Sequence, residues 1–324
     1  MFQPGRDFSI SKAVVFLLCI VITGTVFLWV VPATATDTAP PDTSLLGYWP
    51  FDEGNDSAAA TEASGKGAGS AVNTDPLPRK RGVFGNALDL QGSHALRVEN
   101  FGVPELDGIS VTAWCRPTDL GGYRELLRQE SEHRLLFSFQ TGGTVLSLGL
   151  DIGGYVECDA ALDPARVLDG GWHHCAATAD GAVMRVYLDG AEVGSLERPG
   201  RIVLDPNAPA FIGSTEGNNE HFQGRLDEVR VYSRALSADE IAALHEAGRA
   251  ELDARGRELE ARVARSYLVS PTFAETLAAM REQVQRTGGG TDEEYVEFLT
   301  ARLQQDFHDD AVAFCAWLSE TEGA

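Results

Sequence analysis

Basic residues are scarce in this chain: 26 Lys and Arg stand against 48 Asp and Glu, a formal net charge of −22. That deficit argues against a nucleic-acid partner, since binding a phosphate backbone draws on clustered cations. The acidic excess falls mainly between residues 13 and 248. It reads as a solvated surface, or more narrowly as a supply of oxygen ligands for Ca²⁺. The 5 cysteines lack C-x-x-C spacing, which argues against a zinc or thioredoxin-like site. No G-x-S-x-G elbow and no H-E-x-x-H run occurs. No strand carries E-x-D-x-x-E, the alternation that aims two carboxylates into one cleft. The adjacent acids Asp52-Glu53 and Asp227-Glu228 do not replace it, because neighbours on a regular strand face opposite sides. The chain therefore reads as non-enzymatic.

What it does have is turn chemistry. The stretch Trp172–Leu196 holds two Asp-Gly pairs, Asp180-Gly181 and Asp189-Gly190. Asp-Gly between apolar-containing runs signals a hairpin, because a type I′ turn needs positive φ at both central residues. Met184, Val186 and Leu188 alternate with Val183, Arg185 and Tyr187, a period of two. Three antiparallel strands are expected, at about 172–179, 182–188 and 191–197. Such a meander needs a second sheet over its apolar face. Further short strands are expected at 46–52, 87–90, 96–99, 110–116, 125–128, 134–140, 144–151, 155–160, 210–214 and 224–232. Many short strands cut by Gly, Asp, Asn and Pro indicate an all-β sandwich.

The first residues read differently. Ala13 to Val31 is an uncharged run of 19 residues, preceded by Arg6 and Lys12. As a helix it would span about 28 Å, near the thickness of a bilayer core. The basic flank keeps the N-terminus in the cytoplasm and exports the rest of the chain. Ala33-Thr34-Ala35 resembles a cleavage site, so residues 1–36 form a membrane anchor or a cleaved signal peptide. The two outcomes are a protein held to the membrane through residues 13–31 and a secreted one. Residues 37–44 form a Pro-rich linker. Cys115, Cys158, Cys175 and Cys315 would then meet an oxidising compartment. Cys115 and Cys175, both in strand-like runs, form either a disulfide or two separate buried thiols.

The runs GYWPFDEG (47–54), RGVFGNALDLQGS (81–93), SVTAWCRP (110–117), GGWHHCAATADG (170–181) and FQGRLDEVRVYSRALSADEIAAL (222–244) resemble the laminin-G-like, concanavalin A-like jelly-roll family in its bacterial, pentraxin-related branch. The resemblance spans about residues 45–248. It implies a mainly β fold, two antiparallel sheets in a jelly-roll sandwich. It also implies an extracytoplasmic binding or adhesion module for a glycan or a protein, often with structural calcium. A purely structural envelope component and a glycan-active enzyme are the alternatives.

Tyr123 and Tyr155 sit in Gly-rich loops and are candidate ligand-binding residues. Trp114 and Trp172 fit core packing better than sugar stacking. His173 and His174 face opposite ways and cannot share an ion; one packs beside Trp172 and the other is exposed. For calcium, the opening strand should lie near the closing one, which brings Asp52, Glu53 and Asp227 together. Alternation with Val229 and Val231 would point Asp227 inward, as a metal ligand or as an acceptor for backbone N–H groups. Finally, Leu236-Ser237-Ala-Asp-Glu240-Ile241 is a capping box with a hydrophobic staple. It opens a helix to about Tyr267, with Gly248 and Gly256 as weak points. Residues 249–324 read as a helical tail of unknown role, either a small bundle or a partner-binding hairpin.

Overall fold

A computed structural model describes residues 43–268, apart from 55–56, 65–70, 73–76, 93 and 100–103. The expected leader at 13–31, Cys315 and the helices expected beyond Ser270 lie outside the described residues. Among the described residues, no helix is long and apolar enough to cross a membrane.

The described strands in chain order are β1 Leu45–Trp49, β2 Ala59–Ala60, β3 Ala71–Val72, β4 Arg79–Arg81, β5 Asn86–Gln91, β6 Leu96–Val98, β7 Glu105–Leu106, β8 Ile109–Asp119, β9 Arg124–Gln129, β10 Leu135–Gln140, β11 Val145–Asp151, β12 Tyr155–Ala161, β13 His173–Ala179, β14 Val183–Leu188, β15 Ala191–Glu197, β16 Ile202–Val203, β17 Ala210–Ile212 and β18 Gln223–Tyr232; helix α1 is Ala238–Leu268. One sheet runs β15-β14-β13-β8-β18-β5-β4, with β1 also on β18. The other runs β2-β3-β6-β17-β9-β10-β11-β16-β7, with β12 on β11. The two antiparallel sheets pack in a jelly-roll-like arrangement. The meander is β13-β14-β15, its two turns at the expected Asp-Gly pairs. The opening strand β1 does pair with the closing strand β18.

Period-two patterning builds the core. Leu135, Phe137 and Phe139 of β10 face Leu146, Leu148 and Leu150 of β11 on the inner side. Val111, Ala113 and Cys115 of β8 join them from the opposite sheet. Gly194 lets β15 and β12 approach, since a Cβ there would lie 2.8 Å from that of Ala160. Cys115 and Cys175 are buried free thiols from neighbouring strands, their sulfurs 3.6 Å apart.

Expected alternation fails at one point on β18. Its register against β8 shifts between Asp227 and Arg230, and Glu228 has φ of 55°. This bulge inserts an extra residue. Asp227 pairs with Trp114, whereas Val229 and Val231 return to the core. Asp227 is therefore turned to the outer face of its sheet, not inward beside the valines. The bulge also puts both acids on one face: Glu228 accepts from the Tyr48 hydroxyl and pairs with Arg230, which stands opposite Thr112.

Helix α1 covers that outer face. Ser237 and Glu240 cap it reciprocally: the Glu240 N–H donates to the Ser237 hydroxyl at 3.2 Å, and the Ser237 N–H donates to Glu240 Oε2 at 2.8 Å. Leu236 and Ile241 close the staple, packed with Ala176, Tyr187 and Tyr232. Gly248 is a packing site rather than a weak point. A Cβ there would lie 2.2 Å from the Trp114 ring, so only glycine lets the helix seat. Trp114 and Trp172 are core residues as expected, but of this outer cluster with Val83 and Ala87, against which Phe84 and Leu252 pack. Arg255 Nη1 donates to the Gly82 carbonyl at 2.6 Å. Packing on the β-domain thus continues past the expected boundary at Gly248, through at least Arg255.

Both histidines are buried, so the expectation of one exposed ring is corrected. His174 turns outward under the helix, 5.2 Å from the Trp114 ring and 6.3 Å from His245. Burial pushes it down to about 3, so its imidazole is neutral. His173 turns the other way, held between Asp189 at 3.1 Å and Asp169 at 3.0 Å.

Candidate functional site

With α1 on the eight-stranded sheet, the outer face of the ten-stranded sheet is, among the described residues, left to side chains and loops. Strand alternation fills that face with polar groups. Glu125 of β9, Ser138 of β10, Ser147 of β11 and Asp159 of β12 stand side by side across four neighbouring strands. The next row is Arg128, Leu136, Gly149 and Glu157. Glu125, Ser138 and Ser147 are each 0 % exposed, although they point away from the apolar core.

Two clusters organise the face. In one, Glu125 Oε1 accepts from Arg128 Nη1 at 3.2 Å, and Glu220 shares the Thr215 hydroxyl with it. Burial pushes the Glu125 carboxyl well above the ordinary carboxylate range; Arg128 opposes this and Glu220 adds to it. Arg128 also reaches Glu130, at 2.8 and 2.5 Å. In the other cluster, Glu157 takes the Tyr155 hydroxyl at 2.8 Å and the Gln140 amide at 3.0 Å. The Ser147 hydroxyl lies 2.6 Å from Asp159 Oδ1 and 3.5 Å from Glu157 Oε2. Glu125 Oε2 and Ser138 Oγ are buried with no hydrogen-bond partner. Such atoms are rare in folded proteins, because each costs about 1–3 kcal/mol.

Tyr155 belongs to this face. Its hydroxyl end lies over Gly149, where a Cβ would come within 2.3 Å of it, and Arg134 sits 5.5 Å from its ring. The ring is 39 % exposed. Tyr123 is exposed in the β8–β9 turn, its carbonyl accepting from Arg124 Nη1 at 3.0 Å. Sequence reasoning thus named one residue of the face and missed Glu125, Arg128, Ser138, Ser147, Glu157 and Asp159. A signal for some was present: Ser138 stands between Phe137 and Phe139, a polar residue at the outward position between two core aromatics.

The carboxylates expected to bind calcium each make contacts within the protein. Asp52 Oδ1 accepts the Asn86 N–H at 2.9 Å, and Asp227 Oδ2 accepts those of Val83 at 2.7 Å and Phe84 at 3.1 Å. Glu53 pairs with Arg79 at 3.5 Å and accepts from the Thr61 N–H. One oxygen of each carboxylate thus serves a protein donor, while Asp227 Oδ1 and Glu53 Oε2 are buried without a hydrogen bond, and Ca²⁺ needs six to eight oxygens. Among the described residues no group of three His, Cys, Asp or Glu is placed to hold a metal. Asp52 and Asp227 hold the 82–86 turn.

Residues 90–242 match the family described as the concanavalin A-like lectin/glucanases superfamily. A 76-residue stretch is 30% identical to the adhesion G-protein coupled receptor V1 of Danio rerio, covering 23% of this chain and 1% of that protein. Among solved structures, domain 4 of AbnA, an extracellular arabinanase of Geobacillus stearothermophilus in complex with arabinotriose, is 20% identical with a TM-score of 0.50. The likeness covers 62% of this chain and 98% of that one. The binding domain of Paraclostridial Mosquitocidal Protein 1 is 16% identical with a TM-score of 0.49, covering 62% of this chain and 52% of that one.

Proposed function

We propose that this chain is a non-catalytic module of the concanavalin A-like kind matched over residues 90–242, binding a glycan on the outer face of its ten-stranded sheet. One observation carries this reading. Glu125 Oε2 and Ser138 Oγ lie buried without partners on a face that also displays the Tyr155 ring. A sugar offers hydroxyls that both donate to carboxylates and accept from amides, together with a C–H face that packs on an aromatic ring. The arabinotriose held by the arabinanase domain, a relative in fold, supports the reading.

A glycan array probed with the full chain tests it. Bound glycans without release of reducing sugar are expected. Tyr155→Ala should weaken binding about tenfold, the equivalent of about 1.4 kcal/mol. Gly149→Ala should act similarly, because its new Cβ displaces the Tyr155 hydroxyl end. An unfolding midpoint close to wild type separates lost binding from lost fold. Undiminished binding by both variants would place the ligand elsewhere.

The uncharged run at 13–31 supports placing this face outside the cytoplasm. Protease added to intact cells should then remove the β-domain, and full protection would refute the placement.

A further inference from the structure

Resting on the glycan-binding reading, we propose that this face selects by charge: its ligand is a neutral or amine-bearing glycan, and acidic glycans are rejected. Some of its charges are already matched within the protein. Arg128 binds Glu125 and Glu130, and Arg134 binds Glu130 at 2.5 Å while lying against the Tyr155 ring. Both guanidinium groups are thus engaged by Glu130 of the same face.

Glu157 and Asp159 are not matched. They project from the same face of β12, two residues apart. Their donors are the Ser147 hydroxyl, the Gln140 amide and the Tyr155 hydroxyl, all neutral. Among the described residues neither has an ion-pair partner. The pair lies beside the ring proposed to carry the sugar, and Asp159 is exposed. The unpartnered, buried Glu125 Oε2 and Ser138 Oγ continue the same row. Glu157 and Asp159 therefore offer acceptors to hydroxyl or ammonium hydrogens, while the face's described guanidinium groups, Arg128 and Arg134, are already engaged by Glu130. A uronate, sialate or sulfate placed here would meet like charge at short range, where repulsion is least screened. An ammonium would gain charge-assisted hydrogen bonds.

The test is an array of matched sets: each neutral glycan beside its carboxylated, sulfated and amino derivatives, probed with the full chain at pH 6. Acidic derivatives of every bound glycan should bind at least about tenfold more weakly than the neutral form, and amino derivatives at least as well. The Glu157→Gln, Asp159→Asn double variant should shrink the gap to about threefold or less. Should that variant fold poorly, raising NaCl from low to high concentration should narrow the wild-type gap instead. Acidic derivatives bound as well as neutral ones would overturn the charge rule and leave the glycan reading standing. An array with nothing bound would overturn both.

Discussion

Asp227→Ala should lower the free energy of unfolding by about 3–5 kcal/mol, measured by urea denaturation of the full chain. Asp227 is 0 % exposed, and its Oδ2 accepts the N–H groups of Val83 and Phe84 at 2.7 and 3.1 Å. Alanine would orphan two amides, Val83 being 0 % exposed. Each unmade bond to a buried donor costs about 1–3 kcal/mol. The turn they belong to also anchors other elements. Asp52 holds the Asn86 amide, Arg255 of α1 donates to the Gly82 carbonyl, and Val83 packs in the Trp114 cluster. Gly82 is required here, because a Cβ would lie 2.4 Å from Asp227 Oδ2. Asp227→Asn keeps an acceptor, so its cost should be smaller, about 1–2 kcal/mol. Adding Ca²⁺ or a chelator should leave the difference unchanged, because the donors are amides. A loss below about 1 kcal/mol for the alanine variant would mean that the turn holds without its carboxylate.

Asp227 also shows where the sequence stopped being legible. Its strand was readable from Gly224–Tyr232, and its nearness to the opening strand was anticipated. Its direction was not, because the side-chain period of two survives only while the ladder is regular. One extra residue at Glu228 reversed the inside–outside assignment. Nothing in the local string marks that bulge, since glutamate is not a residue that favours φ of 55°. The longer strands and the meander were legible because their alternation runs over several residues between Gly and Asp turns. The two-residue strands β2, β3, β7 and β16 were not, being too short to show a period, and neither was β4, whose Arg79-Lys80-Arg81 has no apolar alternation.

The candidate site was harder to see for a different reason. Its residues come from β9, β10, β11, β12 and a loop near β17, and only the register across neighbouring strands brings them together. Tyr155 was flagged by its loop, and its place over Gly149 depends on the Tyr155–Asp151 end of the β11–β12 ladder. The capping box at Ser237 was legible because all its parts lie within a few residues. Gly248 was misjudged because its reason, the Trp114 ring, comes from a strand far away in sequence.

His173 should make stability fall as pH rises from about 6.5 to about 9. Burial alone would pull its imidazolium down, but the hydrogen bonds and charges of Asp189 and Asp169 more than offset that and push it up to about 9. An unfolded histidine titrates near 6.5, so the folded state holds the proton more tightly. The stabilisation is then complete below about pH 6.5 and is lost as pH climbs through about 9. At about 1.36 kcal/mol per pH unit, that gap gives about 3 kcal/mol as an upper figure. The ring is only 9 % exposed, so solvent screening removes little of it. Asp189 is held below the ordinary carboxylate range, its burial outweighed by His173. That is the same interaction seen from the other partner, so it adds nothing further. Buried Glu125, Asp227 and Glu228 also hold protons above their usual range and release them as pH rises. The measurement must therefore be a difference. Unfolding free energies of wild type and His173→Asn, compared from pH 6 to pH 10, should converge by about 2–3 kcal/mol. The convergence should come from the wild type losing stability that the variant never had. Parallel curves across that range would mean that His173 is neutral in the folded protein and that the two aspartates hold it without charge.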